Sequence, residues 1–257
     1  MNRQSFYRLA VERGLDPLNA YEVIIREIYK NILSPGDMAI DGGAHLGLHT
    51  FPMARAVGES GRVLAFEAIP SICSKLTKAV IAHGYDWVHN YSFALGEASG
   101  PCTFYVYEDA PGYSGLHSRE ALLSQFELKK PKSIVAEMVQ IDDFVSSGSE
   151  LRFIKLDLEG GEFGALLGAT KVLKDEKPVV IFEHTLGNIS ETNLNEAELY
   201  KLFFSLGYRV VDLLGQIAVD SSIERNDMLP YLVAFPESHN STLDIIESVK
   251  RSVLGIG

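Results

Sequence analysis

Short apolar strands alternate with stretches of helical period along most of this chain, and that alternation limits the possible folds more than any other feature. "MAID" (38–41), "GRVLAFEA" (61–68) and "DWVHNYSFAL" (86–95) read as strands, with helices over 46–57 and 70–84 between them. The pattern resumes with strands over 152–159, 178–184 and 208–214, separated by helices over 162–175 and 195–207. "YLVAFP" (231–236) is a last strand, and 242–254 a closing helix. Strands joined by helices pair in parallel, because the crossover returns each strand in the same direction. The expected architecture is α/β: a doubly wound, mostly parallel seven-stranded sheet.

Two segments depart from the alternation. "YEVIIREIYKNIL" (21–33) puts Val23, Ile24, Ile28 and Leu33 near one face, so an amphipathic helix caps the N-terminal side, and "SPGD" (34–37) stops it. Residues 100–150 carry two strand-like runs, 102–108 and 133–141, with no helix between them. The intervening 109–130 is long and polar, and long loops in compact domains are usually functional or disordered. No repeat or linker divides the chain. The expectation is one domain over 1–257, with a helical cap over 1–35, a core over 36–185 and an acceptor-side insert over 100–150.

Composition narrows the partners. Of the 257 residues 46% are hydrophobic and 22% charged, as in ordinary globular proteins, so a sizeable core needs no staples. The formal net charge of −11 argues against non-specific binding of nucleic acid or an anionic membrane, which needs clustered Lys and Arg. Two cysteines, Cys73 and Cys102, make no disulfide framework. The N-terminal stretch is interrupted by charges, and no apolar run reaches a membrane span, so a cytoplasmic location is expected.

"AIDGGAHLGLHTF" (39–51) joins a buried strand to a helix through glycines. Glycine lets backbone approach a ligand, and a helix N-terminus adds N–H donors. The dinucleotide fingerprint wants glycine at i, i+2 and i+5. From Gly42 those positions hold Gly42, Ala44 and Gly47, so the glycine that admits a pyrophosphate is missing. Asp41, just before the turn, would repel a pyrophosphate and pair with a ligand bearing ammonium and sulfonium groups. S-adenosylmethionine therefore suits Asp41, Gly43, Ala44 and Gly47 better than NAD does. A tight turn with no ligand is the plain alternative. Glu67 ends the second strand 20 residues after Gly47, where an acid holds the ribose of either nucleotide. Ala94 and Leu95, at the end of the third strand, are candidates for apolar contact with adenine, with core packing nearly as good an account.

"FIKLDLEGGEFGALLGA" (153–169) is more specific. Asp157 and Glu159 stand at a strand's carboxyl end, Glu162 starts the next helix, and Glu183 and His184 end the next strand. Open parallel sheets bind ligands beyond the carboxyl ends of their strands, so these groups should gather with Asp41 and Glu67. Each alone has a bland reading as a solvated or capping group, whereas close carboxylates need a cation or shared protons.

In order along the chain, "AIDGGAHLG", "AFEAIP", "ALGE", "IDDF", "IKLDLEGGEFGALLGA" and "VVIFEH" resemble the FkbM family of S-adenosylmethionine-dependent methyltransferases, over roughly 36 to 185. Leu158 stands where that family commonly has Val, and Gly161 where it has Ala. "GYSGLHSR" (112–119) looks like a diverged form of a small-residue segment of the family. The resemblance implies the class I, Rossmann-like methyltransferase fold and O-methylation, often of sugars or of polyketide and peptide natural products.

Methyl transfer from a sulfonium needs mainly alignment and exclusion of water. An alcohol acceptor must lose a proton, and His184 is the first candidate base, Asp157 the second. The alternative is Mg²⁺ held by Asp157, Glu183 and His184, like the ligands of the similar catechol O-methyltransferases, although histidine suits Mg²⁺ poorly. Tyr105, Tyr107, Tyr113 and Phe126 could line a small-molecule or glycan acceptor site. The 109–130 loop and the N-terminal helix are natural lids. Exposed central strands hint weakly at a homo-oligomer. Two rivals stand: a nucleoside-binding module without catalysis, and an NAD-dependent oxidoreductase, for which no paired Tyr and Lys signature is present.

Overall fold

The computed structural model describes residues 1, 3–119, 123, 127–184, 196–218 and 229–256. Its strands are β1 (Met38–Gly42), β2 (Arg62–Phe66), β3 (Val88–Tyr91), β4 (Ala94–Leu95), β5 (Gly100–Val106), β6 (Lys132–Val139), β7 (Leu151–Leu156), β8 (Val179–Glu183), β9 (Tyr208–Asp212) and β10 (Tyr231–Pro236). Its helices are α1 (Arg3–Glu12), α2 (Pro17–Ile32), α3 (Thr50–Val57), α4 (Pro70–His83), α5 (Glu162–Leu167), α6 (Thr170–Asp175), α7 (Glu196–Ser205) and α8 (Ser241–Leu254).

Seven strands form one sheet in the order β3-β2-β1-β7-β8-β10-β9. The first five pair in parallel, and β10 runs antiparallel to both β8 and β9. Strand order reverses between β1 and β7, and a crevice opens at that switch point. The register sets Asp41 beside Lys155 and Gly42 beside Leu156.

Alternation along each strand assigns side chains to two cores. Ala39, Phe153, Val179, Ile181 and Val233 join the core under α1, α2, α3 and α8. Ile40, Ile154, Leu156, Val180 and Phe182 join the core under α5, α6 and α7. Helix α2 buries Tyr21, Ile24, Ile25, Ile28 and Tyr29 on the first side. Full burial of such side chains contributes roughly 1.5–3 kcal/mol each, which fixes α2 over β1 and β7. Val23, expected on that face, is only half-buried.

Four local expectations change. Helix α3 starts at Thr50 rather than at residue 46, which puts Pro52 inside its first turn, where no N–H is needed. The expected strand over 86–95 divides: β3 stays in the large sheet, while β4 joins a three-stranded sheet of order β4-β6-β5. The expected helix over 162–175 is interrupted at Gly168, where the backbone passes so close to Gly96 that a Cβ would stand 2.1 Å from the Gly96 carbonyl oxygen. Helix α1 is an addition, anchored by buried Phe6 and Ala10.

Candidate functional site

The crevice at the β1/β7 switch point has two lobes that share Gly43, His45, Asp157 and Glu159 as a common wall. Glu67, Ile69, Phe93, Ala94, Leu95 and Phe104 line the first, largely apolar lobe. Glu22, Asp41, Ala44, His49, Tyr113 and Lys155 line the second, which is polar.

The first N–H groups of the glycine turn are engaged within the chain. The Gly43 and Ala44 N–H groups both donate to the Phe66 carbonyl at 3.0 Å, and His45 N–H donates to Glu67 Oε2 at 3.0 Å. Gly43 has a φ of 75°, and a Cβ there would stand 1.9 Å from the Asp157 carbonyl oxygen. Its glycine is demanded by the adjoining chain. Gly47 lines neither lobe, and a Cβ on it would meet the Phe51 ring at 2.6 Å.

Glu67 ties two loops together, since its second oxygen accepts from Ile69 N–H at 2.8 Å. Burial pushes this carboxyl up from its ordinary value against those two hydrogen bonds. Each oxygen keeps a lone pair toward the first lobe. Ala94 and Leu95 stand in the wall of that lobe, though from β4 of the small sheet rather than from the third strand of the large one.

Asp41 is 1% exposed. Its Oδ2 accepts from Thr50 Oγ1 at 2.6 Å, while Oδ1 is buried with no partner among the described residues. Lys155, 3% exposed on the same sheet face, donates to Asp157 Oδ2 at 3.2 Å. Burial alone would push the Lys155 ammonium down, but Asp157, Asp41 and Glu22 hold it above its ordinary value. Burial would likewise push Asp157 up, yet Lys155 and a hydrogen bond from Tyr231 Oη at 3.2 Å keep it below the usual carboxylate range. On the facing wall, His49 Nε2 meets Glu22 Oε2 at 2.5 Å and Nδ1 meets Tyr29 Oη at 3.3 Å. Lys155, Glu22, His49 and Tyr231 escaped the sequence reading. A lysine inside an otherwise apolar strand was the one available signal.

The strand expected over 152–159 ends at Leu156 as β7, and Glu159 has a φ of 54°, so Asp157 and Glu159 stand in a turn beyond the strand. The turn still brings Asp157, Glu159 and Glu183 oxygens within 4.8 Å of one another. Glu159 pairs with Arg119, but burial and the Asp157 charge push it up to about 8. Burial, then the charges of Asp157, Glu159 and Glu162, raise Glu183 well above its ordinary value. Glu162 accepts from Leu158 N–H at 2.6 Å and Gly160 N–H at 3.0 Å, which makes it the anchor of this turn, and burial pushes it up to about 7.

His184 is not brought to this group. Glu183 follows Val179 and Ile181 on the Lys155 face of the sheet, so His184 falls on the other face with Phe182. There its Nε2 meets Glu196 Oε1 at 2.8 Å. The set Asp157, Glu183 and His184 expected for Mg²⁺ is therefore not assembled, and two of the clustered carboxylates already face Lys155 and Arg119. Of the expected acceptor-site aromatics, Tyr113 lines the second lobe, Tyr107 is buried in the insert, and Phe126 lies outside the described residues.

A mostly parallel seven-stranded sheet with its penultimate strand reversed, and a two-lobed crevice at the switch point, defines a class I methyltransferase fold. The methyltransferase FkbM domain model matches residues 41–210, so the chain belongs to the FkbM methyltransferase family. The match runs past residue 185, where the sequence resemblance was expected to fade. Among solved structures, an FkbM methyltransferase from Methylobacillus flagellatus KT superposes with a TM-score of 0.50 at 16% identity. That alignment covers 80% of this chain and 49% of the other, so the chain spans about half of that protein's length. A SAM-dependent O-methyltransferase from Thermotoga maritima aligns at 15% identity over 86% of this chain and 66% of its own, with a TM-score of 0.45. No curated protein matches the chain. No helix among the described residues is long and apolar enough to cross a membrane.

Proposed function

We propose that this chain binds S-adenosylmethionine and methylates a hydroxyl oxygen of a sugar, glycan or natural-product acceptor. The observation that carries the cofactor reading is the buried Oδ1 of Asp41, which has no partner among the described residues, in the lining of the second lobe. A buried carboxylate oxygen with nothing to accept is costly, and a cationic ligand with N–H donors removes that cost. Asp41 and the wall at Gly43 and Ala44 would hold the amino-acid end. Glu67 would take the ribose hydroxyls with its remaining lone pairs, and Ala94 and Leu95 the adenine. The bound group supplies a methyl on a positively charged sulfur. The chain's own work is to orient the acceptor, exclude water and receive its proton. Asp157, held ionised by Lys155, complements positive charge in the crevice and is a weak base for the same reason.

Calorimetric titration with S-adenosylmethionine, S-adenosylhomocysteine and NAD, repeated on Asp41→Asn, tests this. The expected result is micromolar binding of both sulfur nucleosides, none of NAD, and a loss of about 100-fold or more in the variant, as for other buried charge pairs. NAD binding, or no binding at all, would overturn the reading. Binding without methyl transfer to any acceptor would favour a nucleoside-sensing module.

A further inference from the structure

We propose that Glu22 of α2 is the carboxylate that receives the acceptor hydroxyl's proton, with His49 and Tyr29 as its positioning residues. This rests on the methyl-transfer reading above. Helix α2 lies before the segment 41–210 that matches the family, so this wall of the crevice is built from outside the shared part. Tyr21, Ile24, Ile25, Ile28 and Tyr29 anchor the helix, and Glu22 is the acid it sets in the second lobe. The Glu22 side chain is 29% exposed and that of His49 4%, so the histidine stands behind the carboxylate. An ionised Glu22 can only accept, so a neutral His49 donates Nε2–H to Glu22 Oε2 and takes the Tyr29 hydroxyl proton at Nδ1, with the rest of the carboxylate open to the lobe.

The other groups are less suited. Asp157 is committed to Lys155 and Tyr231, Glu159 to Arg119, and His184 faces Glu196. In the step, the acceptor O–H bond breaks and the proton passes to Glu22. The oxygen's electron pair makes the new O–CH₃ bond, and the C–S pair leaves with sulfur.

The test uses the full chain, tritiated-methyl S-adenosylmethionine, and the methyl α-glycosides of glucose, galactose, mannose and rhamnose. At least one should be methylated. Glu22→Gln should lower kcat about 100-fold or more, with KM and S-adenosylhomocysteine affinity within about threefold. Tyr29→Phe should lower kcat a few-fold, and Glu22→Asp should recover part of the loss. Retained S-adenosylhomocysteine binding certifies that each variant is folded, and His49→Asn gives a second route to the same kcat loss. An unchanged kcat in Glu22→Gln, or its loss in His45→Gln instead, overturns the role of Glu22. A chain that binds S-adenosylhomocysteine but transfers methyl to none of these hydroxyls overturns the role of Glu22 as a hydroxyl base and leaves the cofactor reading standing. A chain that binds no sulfur nucleoside ends both.

Discussion

In the first lobe, Glu67 is fixed by N–H groups of His45 and Ile69, both within 22 residues of it along the chain. In the second, Asp41, Asp157 and Glu22 are fixed by side chains from α3, β7, β10 and the turn before α3. Glu67 is held by backbone within the β1–α3–β2 unit. In the second lobe Thr50 and Lys155 lie only 9 and 2 residues from the acids they hold, and it is His49 and Tyr231 that reach Glu22 and Asp157 across 27 and 74 positions and so act only once those elements have docked. The first arrangement is suited to a constant ligand, and the second can be altered one residue at a time.

The largest expected effect separates the two lobes directly. Lys155→Met leaves Asp157 and Asp41 facing each other without their buried cation, and should cost about 3–5 kcal/mol by the urea midpoint. Glu67→Gln, which keeps one acceptor for the backbone, should cost about 1 kcal/mol. Equal costs would erase the distinction. Next in size is Gly43→Ala, where a positive φ and the Asp157 carbonyl both oppose a Cβ. It should cost about 1–3 kcal/mol and weaken S-adenosylhomocysteine binding, because the shared wall moves. A neutral result in both measurements would mean that the two lobes are not coupled there.

The smallest effect is a pH dependence. The Glu183 carboxyl is raised in the folded chain above its ordinary 4.5. The native state therefore binds more protons than the unfolded state, and stability falls as pH rises from about 4.5 toward the folded value. Glu183→Gln removes that penalty, so its stability relative to wild type should be greater at pH 8 than at pH 5. A constant difference across that range would show that Glu183 is ionised in the fold.

The parallel sheet and the placing of Asp41, Glu67, Asp157 and Glu159 along one crevice were legible because each of these acids stands at or just after the end of a strand that the apolar pattern marks. His184 was misplaced although the sequence held the answer: Phe153, Lys155 and Asp157 share one parity, Val179, Ile181 and Glu183 another set on the same face, and His184 breaks step. Glu22 and Tyr231 were not legible. Tyr231 meets Asp157 across 74 positions, and only the sheet order places it there. The interruption at Gly168 was hidden for a similar reason, since its cause is a backbone 72 residues earlier.

That meeting of Gly168 with Gly96 has a mechanical consequence. Two backbones touch with no side chain between them, so neither segment has a compliant layer to absorb motion of the other. The small sheet that carries Ala94 and Leu95 is riveted to the joint between α5 and α6, and Glu162 at the head of α5 holds the turn of Asp157 and Glu159. With no compliant layer at that contact, the wall of the first lobe and the acidic turn should move as one body, and amide protons at both ends should exchange through one common opening.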